Sequence, residues 1–428
     1  MRQCLASLAA VVFWGAPAAA QSALDWGRIS VFGTVLRSKY DGGTSNAYNE
    51  LSASVSVHTP PRESDGVEFS LDARGSEYPS VQNRDARLTV YDAWVGGRLA
   101  GGKVAVRLGQ MYVNDLGALG GVGGLHLETR AGNLRFGLFG GLEPKGFDTG
   151  YVQDVKKGGA YVAYDGQMGW KNVLGFATIR NQSVAERNVL TMLNFIPVGR
   201  EFFLYQALEY DLTGPGRTGS GGLAYFFATA RWAPAQVFEL QANYQHGRSV
   251  DTRTITQDQI AGRPIDAKSL QGFLFDSIGG RATVQFMRGW RVWAGYYQDK
   301  NNRDDITTTR WQLGLSTSNV LNTGLDVFIS DNRTDRPGRS SYDAWYFSLG
   351  RSLGSRFYLT LDYSTSLSVL QLTDSGGLTV VNKPSSRRYS LSGIWNVSRA
   401  FSFMLTAEQL VDDTSSQNRG LLGLTYRF

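Results

Sequence analysis

Apolar and polar residues alternate with a period of two along almost the whole chain. Over residues 238–245, Phe238, Leu240, Ala242 and Tyr244 are apolar, while Glu239, Gln241, Asn243 and Gln245 are polar. Residues 67–74 set Val67, Phe69, Leu71 and Ala73 against Glu68, Ser70, Asp72 and Arg74, and 51–58 and 357–364 repeat the pattern. A strand with this order has one greasy face and one wet face. About 22 such segments of roughly 9–11 residues follow one another, the length that crosses a bilayer at a tilt. In a soluble sandwich the greasy face would be inside. The connections argue for the reverse, with water inside and lipid outside.

Those connections alternate in character. Residues 41–47, 75–86, 114–124, 143–156, 213–220, 247–271, 331–340 and 366–384 are long or polar links. The intervening links, such as 98–102, 131–133, 165–169, 233–236, 288–289 and 397–399, are mostly tight; 58–66 is an exception. A sandwich has no reason to keep this parity, whereas a barrel in a membrane does. Trp170, Trp232, Trp290 and Phe401 fall at the tight-turn ends, and Tyr40, Tyr112, Trp311 and Tyr342 at the long-loop ends. As a set they read as two interfacial girdles.

The chain ends GLTYRF, with Leu422, Leu424, Tyr426 and Phe428 alternating against Gly423, Thr425 and Arg427. This resembles the C-terminal targeting signal of Gram-negative outer-membrane β-barrel proteins, carried here by Gly423, Tyr426 and Phe428. The resemblance implies an exported outer-membrane protein inserted by the barrel-assembly machinery. The predicted fold is all-β: one transmembrane antiparallel β-barrel of about 22 strands (range 18–22), with long outer loops and short periplasmic turns.

Composition fits this picture. Gly is abundant at 51, aromatics make up 12%, and Pro is only 11 in 428 residues, which favours strands and turns over a helical core. Arg2, an apolar run from Leu5 to Trp14 and the small residues Ala18, Ala19 and Ala20 read as a signal peptide, 1–20, cleaved before Gln21. A short periplasmic N-terminus, 21–27, and a barrel over 28–428 would remain. Cleavage would remove Cys4, the one cysteine, leaving no disulfide or thiol metal site. No convincing helix is expected. A barrel in lipid also needs no large apolar core, because the bilayer takes that role.

A lumen enclosed by about 22 strands is wide, and barrels of that size are usually plugged. Strand-like alternation begins near Arg28, which leaves no room for a plug domain. The apolar, Gly-rich stretch NDLGALGGVGG (114–124) is a candidate constriction, with Asn114, Asp115, Gly120 and Gly124 its marked residues. It resembles, in position only, the third outer loop of general porins, which folds into the lumen. Parity turns Glu68, Asp72, Arg74, Arg107, Glu128, Arg130, Arg135 and Glu239 inward. Opposed rows of Arg and carboxylate would set a transverse field across the lumen.

The expected function is porin-like passive diffusion of small polar or charged solutes. The alternative is a sleeve around a lumen-filling partner such as a cytochrome or a lipoprotein. A barrel hydrolase using His246 near Asp251 is a third possibility, set against only three histidines, His58, His126 and His246. No enzyme activity, metal or cofactor is expected. The pI near 9.2 with a net charge of +6 lacks the clustered patch a nucleic-acid partner needs. Outer-membrane lipid and the assembly machinery are the expected partners.

Overall fold

The computed structural model describes residues 26–59, 64–79, 85–146, 148–213, 221–373 and 379–428. The predicted signal peptide, its cleavage point, Cys4 and residues 21–25 lie outside them.

Antiparallel strands make one continuous sheet. The first sector holds β1 (Trp26–Tyr40), β2 (Ser45–His58), β3 (Gly66–Glu77) and β4 (Arg87–Leu99). The second holds β5 (Val104–Tyr112), β6 (Gly121–Ala131), β7 (Leu134–Pro144), β8 (Tyr151–Asp165), β9 (Lys171–Asn181), β10 (Val184–Val198) and β11 (Phe202–Thr213). The third begins with β12 (Gly222–Ala235), β13 (Phe238–Ser249), β14 (Phe273–Met287), β15 (Trp290–Asn301), β16 (Thr308–Thr317) and β17 (Leu325–Arg336). It ends with β18 (Ser340–Leu353), β19 (Phe357–Thr373), β20 (Thr379–Asn382), β21 (Ser385–Asn396), β22 (Phe401–Asp412) and β23 (Ser415–Arg427). The short β20 pairs with the far end of β19 while β21 pairs with the rest of it. The two are one crossing, and the barrel has 22 crossings.

The sheet closes on itself. β1 pairs with β23 from Arg28↔Arg427 to Tyr40↔Ser415. Gly27 and Phe428 exchange both backbone hydrogen bonds, each 3.0 Å. Closure satisfies the strand edges that hydrocarbon would otherwise leave unpaired. Twenty-two strands spaced about 4.8 Å apart and tilted roughly 40° would give a circular backbone cylinder about 40 Å across. Side chains cannot fill that width.

The two faces follow the alternation. Val67, Val95, Leu108, Leu138, Leu174, Leu313, Leu405 and Leu422 are among the large apolar side chains left exposed, and register puts all of them on the outside. In β13, Phe238, Leu240, Ala242 and Tyr244 face out, and Glu239, Gln241, Asn243 and Gln245 face in. The barrel thus fits a bilayer in the sense the pattern predicts.

Several details differ from the sequence reading. Strands run longer than a hydrocarbon crossing needs, up to the 17 residues of β19, because they continue beyond the apolar band. Residues 331–340 are therefore mostly strand, and the links 337–339 and 413–414 are tight turns at the long-loop end. Two helices occur in 250–272: α1 (Thr252–Ile260) and α2 (Ala267–Gln271), capped by Asp251 and Asp266. Tyr40 and Tyr342 share the inward face by register, so the outer girdle keeps Tyr112 and Trp311 but not these two. β1 also starts two residues before the predicted barrel boundary, at Trp26. The terminal Gly423 faces in opposite Phe32, while Tyr426 faces out beside Ile29 and Phe401.

Candidate functional site

The candidate site is the lumen, and its two sides are built differently. Register places Glu68, Asp72, Arg74, Arg107, Glu128, Arg130, Arg135 and Glu239 on the inner face. They do not form opposed rows. Each of the four cations among them sits beside a carboxylate no more than two strands away. Arg98 donates to Glu68 at 2.9 Å and Arg107 lies 3.7 Å from the same carboxylate. Arg74 pairs with Glu50 at 2.9 Å and Arg231 with Glu239 at 2.7 Å. The ladder brings side chains about 5 Å apart across strands, so opposite charges neutralise locally rather than across the pore. Asp72 stands opposite Asp92, which accepts from the Trp94 indole at 3.0 Å.

The second sector is filled. Between β5 and β6 the segment Asn114–Leu119 makes a 3-10 turn and lies against the inner faces of β8, β9 and β10. Leu116 is 1% exposed. It occupies the hollow at Gly175, where a Cβ would collide with it. Gly120 returns the chain with φ +64°, a conformation that favours glycine. Val113, Leu116, Leu119, Val122, Phe139 and Val155 belong to an apolar core inside the barrel, which the sequence reading did not expect. Gly121–Gly124 are strand residues of β6, so Gly124 belongs to the wall and not to the loop.

Charge fastens this segment. Arg135 on β7 donates to Asp115 (2.8 Å), to Glu128 (2.9 Å) and to Asp165 (2.5 Å). Lys171 also pairs with Asp115. Arg130 reaches Asp165 at 3.5 Å. The Tyr161 hydroxyl donates to Glu128 at 2.7 Å, and His126 Nε2 lies 3.1 Å from the same hydroxyl. Lys157 donates to the Leu119 carbonyl at 2.7 Å and pairs with Glu143 at 3.2 Å. A buried charge is tolerable only when paired and hydrogen-bonded, and this network meets that condition around Arg135.

A second segment docks on the same side. α1 packs against β10, with Ile255 2% and Thr256 0% exposed. Arg253 donates to Glu186 at 2.8 Å and to Glu143 at 2.9 Å. Burial works against the Arg253 charge, yet Glu186 and Glu143 hold its pKa above the ordinary guanidinium value. The N-cap Asp251 accepts from the Thr254 N–H at 3.0 Å and from its hydroxyl at 2.7 Å, bonds that hold its carboxyl below the usual range. Glu186 was beyond sequence parity: a bulge in β10 turns both Glu186 and Arg187 inward. Arg187 then bridges Glu209 (2.7 Å) and Asp211 (2.6 Å). The parity rule, extended to every strand, would have found Glu143, Lys157, Asp165 and Lys171.

The opposite wall carries short hydroxyl side chains. Ser30 and Thr425 share a bond at 3.0 Å, Ser366 and Ser386 at 2.8 Å, and Ser392 and Thr406 at 3.1 Å. Asp362 accepts from the Tyr346 hydroxyl (2.7 Å) and Asp326 from the Tyr358 hydroxyl (3.1 Å). Among the described residues, loop packing on the inner wall concentrates on β8–β10.

His246 does not meet Asp251. It falls on the outer face of β13, its Nδ1 2.8 Å from Asp276, which also accepts from Tyr244 at 3.0 Å. His126 is buried in the Glu128–Tyr161 network. Neither of these bonds sets the imidazole beside a Ser, Thr or Cys side chain.

No protein-family model matches this sequence, and no curated protein is similar to it at a significant level. Solved structures share the fold. Pseudomonas aeruginosa OccK2 (OpdF), solved in complex with glucuronate, aligns over 94% of this chain and 97% of its own at 9% identity, TM-score 0.47. Acinetobacter baumannii OccAB4 aligns over 94% and 98% at 8% identity, TM-score 0.46. An E. coli P pilus tip assembly intermediate, PapC-PapD-PapK-PapG, aligns over 93% of this chain and 60% of that one at 11% identity, TM-score 0.50. The likeness extends to the barrel fold alone.

Proposed function

We propose that the chain is a channel of the bacterial outer membrane, through which small polar or charged solutes diffuse passively. One observation carries this reading: the lumen has a filled side and a hydroxyl-lined side. A barrel built only as a scaffold needs no such division. The segment Asn114–Leu119 and α1 narrow the lumen from β8–β10, and the path runs along the serine-rich wall of β17–β23 and β1. Selection then follows from width and from the charges that remain on that path.

The sleeve reading is less well supported, because the chain's own segments already occupy part of the lumen a partner would need. Outer-membrane lipid would surround the apolar face, and the barrel-assembly machinery would take the β23 end during insertion. The test is ionic conductance of the folded protein in planar bilayers. Steady steps support a channel; silence from correctly folded protein overturns it.

A further inference from the structure

One part of the lumen departs from the local pairing of charges. At the turn end, between the Gly199–Glu201 and Gln236–Val237 turns, a cavity of about 550 Å³ is lined by Arg200, Arg231, Glu239, Arg281, Thr283 and Arg291. Glu201 sits in the turn beside Arg200. Register puts Arg231, Gln241 and Arg281 in one line across β12, β13 and β14, and places Arg291 opposite Gln285 on the next strand pair. Glu239 is already engaged by Arg231 at 2.7 Å. Among the described residues, Arg200, Arg281 and Arg291 have no carboxylate partner. Arg281 makes only a long bond, 3.4 Å, to Gln241, and its Nε–H is shielded from water with no acceptor.

Many lumenal guanidiniums among the described residues are answered by Asp or Glu, Arg135, Arg187, Arg253 and Arg310 among them. Here four guanidiniums stand with two carboxylates, and only Arg231 is paired. A surplus of fixed planar donors, gathered in a cavity with Thr283 and Gln285 at its wall, suits acceptor oxygens arriving from outside. Guanidinium forks match carboxylate and phosphate bidentately; a spherical chloride uses that geometry poorly.

We propose that β12–β15 carry an oxyanion-binding site at the turn end of the lumen, made by Arg231, Arg281 and Arg291 with Thr283 and Gln285. Its solutes are small anions bearing a carboxylate or a phosphate. The site deepens the channel reading, on which its place in transport rests. Binding itself does not require conduction.

The experiment is calorimetric titration of the folded, detergent-solubilised full chain with inorganic phosphate and, separately, succinate, at fixed ionic strength in chloride. Saturable binding is expected. Arg281→Gln and Arg291→Gln should each weaken it by about tenfold or more, the usual loss for a bond to a charged group. Arg388→Gln removes a lumenal charge on the opposite wall, paired with Glu408, and should leave binding unchanged. Whichever of phosphate and succinate binds more tightly identifies the class. The proposal is overturned by no binding in the wild type, by equal loss in Arg388→Gln, or by full binding in the Arg281→Gln/Arg291→Gln double variant. Silence in bilayers with binding intact removes the channel reading and keeps the site; conduction without binding does the opposite.

Discussion

The inner face of β5–β10 and the inner face of β17–β23 obey the same alternation yet end up as different materials. On β5–β10 the inward positions mix large or charged side chains such as Phe139, Arg135 and Lys157 with small ones such as Gly175 and Ala177, and Asn114–Leu119 and α1 pack over β8–β10. Leu116, Val122 and Val155 are each 1% exposed, and Arg135, Lys157, Lys171 and Arg187 are each paired with a carboxylate. On β17–β23 Ser and Thr predominate at the inward positions, with Tyr-held Asp and the Arg388–Glu408 pair among them, and among the described residues no comparable segment packs over them. One side is a small globular interior that happens to be enclosed by a barrel. The other is a wetted wall. The difference teaches that in a barrel this wide the lumenal residue type decides whether a loop docks: apolar hollows such as Gly175 hold it, and serines leave water in place.

That contrast can be broken from the filled side. Arg135→Ala would strand Asp115, Glu128 and Asp165 around a vacancy in their network. It should destabilise the folded barrel by about 3–5 kcal/mol, measured by denaturant unfolding in lipid vesicles. Leu116→Ala empties the hollow at Gly175 and should cost about 2–5 kcal/mol, again by unfolding, with faster hydrogen exchange confined to 114–119.

Asp251→Ala removes one cap and should loosen α1 by about 1 kcal/mol. The folded carboxyl titrates below its unfolded value of about 3.9. Its contribution is therefore complete above that value and disappears as the pH falls through the folded one. Exchange over α1 should rise below about pH 4 in the wild type, and the alanine variant should lack that step. The smallest effect is expected on the open wall. Ser364→Ala should change stability by no more than about 0.5 kcal/mol and leave conductance as it was.

Much of this is legible in the sequence. Strict alternation gave strands, faces and closure, since a one-residue slip would turn every side chain over. The inward set from Glu68 to Glu239 followed from counting. What could not be read was which inward charges meet. Asp115 reaches Arg135 only because its loop turns inward, and Arg253 reaches Glu143 across 110 positions of chain. The bulge at Glu186 breaks parity where no glycine or proline announces it. α1 did leave a trace in Asp251 and Thr254, a cap spacing that the surrounding loop composition obscured.

A water-filled path along the serine wall, narrowed by the docked segment, is what the proposed channel requires. Single-channel conductance of the purified wild type, set beside a variant with residues 114–119 replaced by a short Gly-Ser linker, tests it most directly. Steady steps are expected in the wild type and larger ones in the variant. Silence from both folded proteins, or identical steps from the two, would contradict it.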